Sequence, residues 1–218
     1  MRISNIEVYG FRAAIRGMRN PRNSHGISDS EFGRLRPGDV GTWETIGIGA
    51  PECPEIGKDD LRLMLSLIKR GCSHRKFLRM IQVWCDMTLP RFVWVDLDTY
   101  KVGTVKNCQS SAFVLGSREL RGEDFQGGID ARVLWVLNEL SAQYRANKTA
   151  ENLHLLKSHL PESFLQTATY SFNYETALAI YRDRKTHVLP EFSGPRGICE
   201  MIQRLPYMLS FIKATLRE

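Results

Sequence analysis

The stretch TLPRFVWVDLDTYKVGTVKNCQSSAF, Thr88–Phe113, sets the apolar block Phe92–Val95 directly before Asp96, Asp98, Tyr100 and Lys101 and a polar tail. A segment that only fills a core rarely ends in so many hydrogen-bonding side chains, so this one reads as the rim of a ligand site. Its backbone is open to two readings. Thr88 is placed to act as an N-cap with Pro90 near the first turn, which predicts a helix through the apolar block. The β-branched and aromatic residues equally permit a strand.

Working outward, Met80–Met87 alternates as a strand, and at the chain start Ile3, Ile6, Val8 and Tyr9 predict another, ended by Gly10. Phe11, Ala14, Ile15 and Met18 then recur at helical spacing. Residues 20–57 are rich in Gly, Pro, Ser and Asn and read as a long loop or flap, with GTWETIGIG its only strand-like piece. Asp59 or Asp60 can cap a helix carrying Leu61, Met64, Leu65 and Ile68, stopped at Gly71. Downstream, Val133, Val136, Leu137, Leu140 and Tyr144 fit one face of a long helix, and Thr149 caps another running to about Leu160. Further helices are expected over Thr176–Lys185 and Ile198–Leu216. A few strands early and helices later make an α+β pattern, taken as a single domain over residues 1–218.

The chain has 218 residues, 43% hydrophobic and 25% charged, enough to bury a core. A net charge of +6 favours anionic partners, whether a small nucleotide or a nucleic acid; Arg12, Arg16, Arg19 and Arg22 would form the cationic helix and loop of the latter. The five cysteines include no C-x-x-C pair, so neither a zinc site nor a disulfide framework is indicated, and no metal is expected. No apolar run approaches the ~18 residues that cross a bilayer, and the first residues lack a signal-peptide core. The expectation is a soluble cytoplasmic protein without a membrane partner. No catalytic triad is recognisable, and no catalytic residue is assigned.

Two segments carry a family likeness. In KSHLPESFLQTATYSFNYETALAIYRDRKTHVLPEF, Lys157, Leu160 and Pro161 are followed by Asn173 twelve residues after the proline and by Arg184 eleven further on, then His187 and Glu191. This resembles the order R-x-x-L-P, N, R, H-A-x-x-E of the flavin-dependent thymidylate synthases, with one residue of gap between Arg184 and His187. In TYKVGTVKNCQSSAF, Thr99, Tyr100 and Lys101 stand where the family signature has R-H-R, and with one inserted residue Asn107, Ser110 and Phe113 fall on its N, S and Y. The likeness covers roughly Ser73 to Glu191 in broken segments. It departs at Thr99, Cys108, Ala112 and Glu175, where the family has arginine, glutamate, arginine and often arginine.

The resemblance implies a central mixed or antiparallel sheet with long packed helices, and a homotetramer with sites formed between subunits. It implies reductive one-carbon transfer to dUMP, using FAD, methylenetetrahydrofolate and NADPH. By the same likeness Tyr100, Lys101, Asn173 and His187 are cofactor-binding candidates, and Asp96, Ser110, Lys157 and Arg184 are candidates for the pyrimidine nucleoside monophosphate. A lysine at 157 supplies a point charge but not the bidentate fork of an arginine. Each candidate has a plainer reading: Lys157 as a solvated helix-face residue, Arg182–Lys185 as an exposed charged face, and Asp96–Lys101 as a helix end with an internal salt bridge. Two other functions stay open, a non-catalytic nucleotide- or flavin-binding protein on the same fold and a basic nucleic-acid-binding protein.

Overall fold

In β1 (Arg2–Tyr9) a left-handed residue, Asn5 at φ 51°, shifts the alternation so that Ile3 and Val8 are both buried. The structure, a computed structural model, describes residues 1–33 and 53–215. Gly10 turns the chain into α1 (Phe11–Arg19) at φ 99°, where a Cβ would lie 2.1 Å from the Met80 carbonyl oxygen; only glycine fits. The expected face of α1 is buried, but so is Arg19, at 3% exposure. Arg19 is therefore not part of an exposed cationic surface.

Its partner overturns a second expectation. Helix α2 (Lys58–Lys69) has Gly57 at its N-cap, and neither Asp59 nor Asp60 caps it. The cap oxygens come from Asp29, which accepts from the Asp59 and Asp60 amides at 2.9 and 3.0 Å. Asp60 instead points into the core, fully buried. There it accepts from Arg19 Nε at 2.5 Å and from the Ser28 and Ser30 hydroxyls at 2.7 and 2.6 Å. A carboxylate out of water needs that many donors. These serines lie in the predicted flap, beside the short antiparallel pair β2 (Glu31–Gly33) and β3 (Cys53–Glu55). The strand-like GTWETIGIG falls outside the described residues.

The opening stretch resolves into both of its readings in sequence. Strand β4 (Gln82–Pro90) runs through Pro90, and α3 (Arg91–Leu97) begins at the next residue, burying Val93, Trp94 and Leu97. Thr88 is therefore not an N-cap; its hydroxyl lies 2.8 Å from that of Thr167 inside the sheet. There follow β5 (Val105–Cys108), α4 (Ser111–Leu115), α5 (Ala131–Ala146), α6 (Ala150–Ser158), β6 (Leu165–Asn173), α7 (Tyr174–Arg184), α8 (Pro190–Ser193), α9 (Ile198–Arg204) and α10 (Met208–Thr215). The four-stranded sheet has the order β1-β4-β6-β5, so the fold is α+β with an antiparallel sheet.

Thr149 caps α6 as expected, accepting from the Asn152 amide. On α5 the buried face is turned from the predicted one. Leu137 and Ser141 are buried with Leu134, Leu140 and Tyr144 partly so, while Val133 and Val136 stay 41% and 40% exposed. The single helix expected over Ile198–Leu216 is broken between α9 and α10 at Pro206 and Tyr207, the latter at φ 58°.

Contacts group the residues into two compact units. The first comprises Met1–Ile3, Asp86–Thr99 and Lys106–Thr169, and the second Ser4–Cys85, Tyr100–Val105 and Tyr170–Glu218, so the boundary falls inside β1, β4, β5 and β6. The first unit is centred on Leu115, Leu120, Phe125, Leu137, Leu156 and Phe164, with Phe125 and Phe164 edge to face at 5.7 Å. In the second, Phe11, Tyr174 and Phe211 meet edge to face, and the buried Tyr174 hydroxyl donates to the Pro206 carbonyl at 3.0 Å.

Candidate functional site

In the second unit the end of β6 and the turn Tyr100–Val105 are fastened together. Asn173 caps α7 by accepting from the Thr176 amide at 2.9 Å, and Thr176 Oγ1 donates to the Val102 carbonyl at 2.9 Å. Gly103, at φ 72°, lies so close that a Cβ would sit 2.2 Å from Asn173 Nδ2. This glycine lets the turn reach the corner, and Thr104 Oγ1 closes the turn on the Tyr100 carbonyl at 2.8 Å.

The turn delivers Tyr100 to the last turn of α7. Its hydroxyl lies 3.4 Å from Asp183 Oδ2 and also hydrogen-bonds to the Arg184 side chain. Burial pushes the phenol above its ordinary value, partly offset by the Arg184 hydrogen bond. Arg184 Nη1 lies 2.9 Å from His187 Nε2. A guanidinium has no acceptor, and the other ring nitrogen also faces a donor, the Leu189 amide lying 3.3 Å from Nδ1. The buried Phe192 ring supports both groups, with Arg184 Cζ 5.2 Å from its centroid and the imidazole edge to face at 5.1 Å. Nearby in sequence, Glu191 is 6% exposed and its Oε2 has no hydrogen-bond partner among the described residues. Burial raises the Cys199 thiol to about 11, which leaves it inert as a nucleophile at neutral pH.

Tyr100, Arg184 and His187 thus meet in one cluster, with Asn173 tied to it through the 100–105 turn. Lys101 is exposed and makes no ion pair among the described residues. Glu175, the departure nearest Asn173, forms an ion pair with Arg75 at 2.9 Å and lies 3.7 Å from Cys72 Sγ. One oxygen of that carboxylate is buried without a partner among the described residues.

The remaining candidates are in the first unit. Ser110 is spent as the N-cap of α4, its Oγ accepting from the Phe113 amide at 3.4 Å. Lys157 is exposed in the last turn of α6. Asp96 is half-buried near the end of α3, and its carbonyl accepts from Thr99 Oγ1 at 2.7 Å. The ion pair of this segment is not internal to the helix: Lys106 Nζ reaches both Asp98 oxygens at 2.5 Å and lies 5.1 Å from the Trp94 ring.

Sequence reasoning missed Phe192 and Asp183 as parts of the site, although Asp183 adjoins Arg184 and Phe192 follows it by eight residues. It also missed the Arg75–Glu175 pair, whose members lie 100 positions apart and leave no local signal. Among the described residues no group of three or more His, Cys, Asp or Glu could hold a metal, and no helix is long and apolar enough to cross a membrane.

No family model matches the chain, and no curated protein matches its sequence. Solved structures do match. The flavin-dependent thymidylate synthase ThyX from Helicobacter pylori, complexed with FAD and dUMP, aligns at 15% identity with a TM-score of 0.67, covering 98% of this chain and 99% of that one. A second structure of ThyX from Helicobacter pylori, with FAD and dUMP, aligns at 14% identity with a TM-score of 0.66, covering 99% of both chains. Agreement over nearly the whole of both chains shows that this protein has the ThyX fold.

Proposed function

We propose that this chain is a divergent flavin-dependent enzyme acting on a pyrimidine nucleoside monophosphate, with thymidylate-type one-carbon transfer as its reaction. The observation that carries the reading is the Arg184 guanidinium, held by Tyr100 and His187 against Phe192 at the spacing from Asn173 that the resemblance requires. The fold is shared with a protein that binds FAD and dUMP. Fold alone does not specify a reaction.

The cluster fits a flavin. It combines the Tyr100 phenol and the His187 imidazole with a cation fixed against Phe192. Tyr100, Lys101, Asn173 and His187 would hold FAD, and Arg184 would serve the nucleotide; Asp96 and Lys157 remain separate nucleotide candidates within the first unit, where Ser110 is already engaged as a helix cap. When bound, the flavin supplies hydride for a carbon delivered by methylenetetrahydrofolate, with NADPH restoring it. The chain's own part is to bind and orient. Arg184 presents an invariant positive charge to an electron-rich carbonyl or phosphate. The raised phenol of Tyr100 stays protonated at neutral pH and can donate a hydrogen bond. His187, with Nε2 2.9 Å from Arg184 Nη1, and the Phe192 ring steady the guanidinium. A homotetramer accompanies this reading, as the resemblance implies.

A specific observation favours a second reading, a binding protein that has lost the reaction. Glu175 stands where the resemblance often has an arginine, and it neutralises Arg75. Each charge-assisted hydrogen bond lost this way is worth about 1.5–3 kcal/mol. Purified protein should bind FAD, seen as flavin absorbance that co-elutes with it, and dUMP should raise its melting temperature. Arg184→Ala should weaken dUMP binding at least tenfold. Formation of dTMP from dUMP, methylenetetrahydrofolate and NADPH supports the enzyme; binding of both ligands without dTMP assigns the second reading. Failure to bind either ligand removes both.

A further inference from the structure

The second unit holds a hollow that has no part in the cluster around Arg184. It lies against the C-terminal half of α2, the end of α1 and the turn preceding β4, with a cavity volume of about 410 Å³. Volumes of roughly 300–1,000 Å³ are typical of small-molecule sites. Its walls are of two kinds. Met18, Leu67 and Phe77 supply an apolar surface, and Arg22, Arg70 and Lys76 supply cations, with His74 and three serine hydroxyls among them. No aspartate or glutamate is among its described lining residues.

The cations share one concavity, with no carboxylate among its described lining residues. Elsewhere the described arginines and lysines repeatedly meet carboxylates: Arg19 with Asp60, Arg75 with Glu175, Lys106 with Asp98, Arg118 with Asp124. Arg22, Arg70 and Lys76 have no ion pair among the described residues, although all three border one cavity. The carboxylates at the other end of α2 are engaged: Asp59 with Arg62, and Asp60 with Arg19. Three like charges around one concavity repel one another and focus a positive potential into it, an arrangement an anion relieves. The apolar wall adds a requirement that a bare anion does not meet, since burying that surface takes a hydrocarbon or aromatic body.

We propose that this hollow is a binding site for a small organic phosphate, its phosphate facing Arg22, Arg70 and Lys76 and its apolar body against Met18, Leu67 and Phe77. A phosphate monoester carries about −1.5 to −2 charges at neutral pH and three acceptor oxygens, which suits three cations and adjacent hydroxyl donors. The site is separate from the proposed flavin and nucleotide cluster and does not depend on it.

The test titrates the full chain with 1-naphthyl phosphate by calorimetry, with inorganic phosphate and 1-naphthol as half-ligands. The expected result is saturable binding of the ester at least tenfold tighter than either half-ligand. The double variant Arg70→Glu and Lys76→Glu should lose at least tenfold in affinity; both side chains are exposed, so the fold should tolerate the change. Ser66→Phe, which fills the hollow without altering charge, should weaken the ester to a similar degree, and Arg184→Ala should leave it unchanged. The proposal is overturned if 1-naphthol binds as tightly as the ester, if the charge-reversed protein keeps full affinity, or if Arg184→Ala abolishes binding while the charge reversal does not.

Discussion

The two ends of α2 treat arginine in opposite ways. At the N-terminal end Arg19 is buried and shares Asp60 with two serine hydroxyls, so its charge is consumed in holding the residues around Ser28 and Ser30 to the helix. At the C-terminal end Arg22 and Arg70 border an open cavity with Lys76 and meet no carboxylate among the described residues. Arg19 and Arg22 lie three positions apart and look equivalent in sequence. What separates them is burial. A charge taken out of water must be paired within the protein, whereas one left at a solvent-filled hollow is available to a ligand.

Substitutions can break this contrast. The largest effect is expected from Asp60→Ala, which strands the Arg19 charge in the core. Urea denaturation should show a loss of about 3–5 kcal/mol, and a loss below about 1 kcal/mol would mean that the hub is not the closed network described. Asn173→Ala should cost less, about 0.5–2 kcal/mol for a lost N-cap, read in the same denaturation experiment. It should also loosen the turn at Gly103, measurable as faster amide exchange over Tyr100–Val105; unchanged exchange would separate the cap from the placement of Tyr100. The smallest effect belongs to the open end. Arg70→Ala should alter stability by no more than about 0.5 kcal/mol, and a loss comparable to that of Asp60→Ala would show that this arginine too is structural.

A second contrast runs through the opening stretch itself. Thr88–Thr99 and Lys106–Phe113 belong to the first unit, where the polar groups largely answer one another: Asp98 holds Lys106 over Trp94, and Ser110 caps α4. Tyr100–Val105 belongs to the second, where Tyr100 turns outward from its own segment to Asp183 and Arg184. Among the candidates chosen from sequence, those that meet in the second unit form a cluster. Ser110 is occupied by a local role, and Lys157 is exposed.

Much of the fold was legible. The helical spacing of Phe11, Ala14, Ile15 and Met18 marked α1, Thr149 marked the start of α6, and Gly71 marked the stop after α2. The order of Lys157, Pro161, Asn173 and Arg184 pointed to the fold that the solved structures share. Strand β6 was overlooked although Ala168, Tyr170 and Phe172 alternate inward along it, a period of two hidden among threonines and a glutamine. The α5 face was misjudged because Val133 and Val136 share the helical period with the residues that are buried, and periodicity cannot say which edge of an apolar stripe meets the core.

The sequence by itself determined part of the local grammar: the buried face of α1, the stop after α2, the start of α6, and the spacing that joins Asn173 to Arg184. Tertiary structure alone decided which charges are spent, since Arg19 with Asp60 and Arg75 with Glu175 pair across 41 and 100 positions. The physical reason is that local structure follows from sterics and hydrogen bonds between near neighbours. The role of a charged side chain follows from its desolvation and its partners, and both are set only when distant segments close around it.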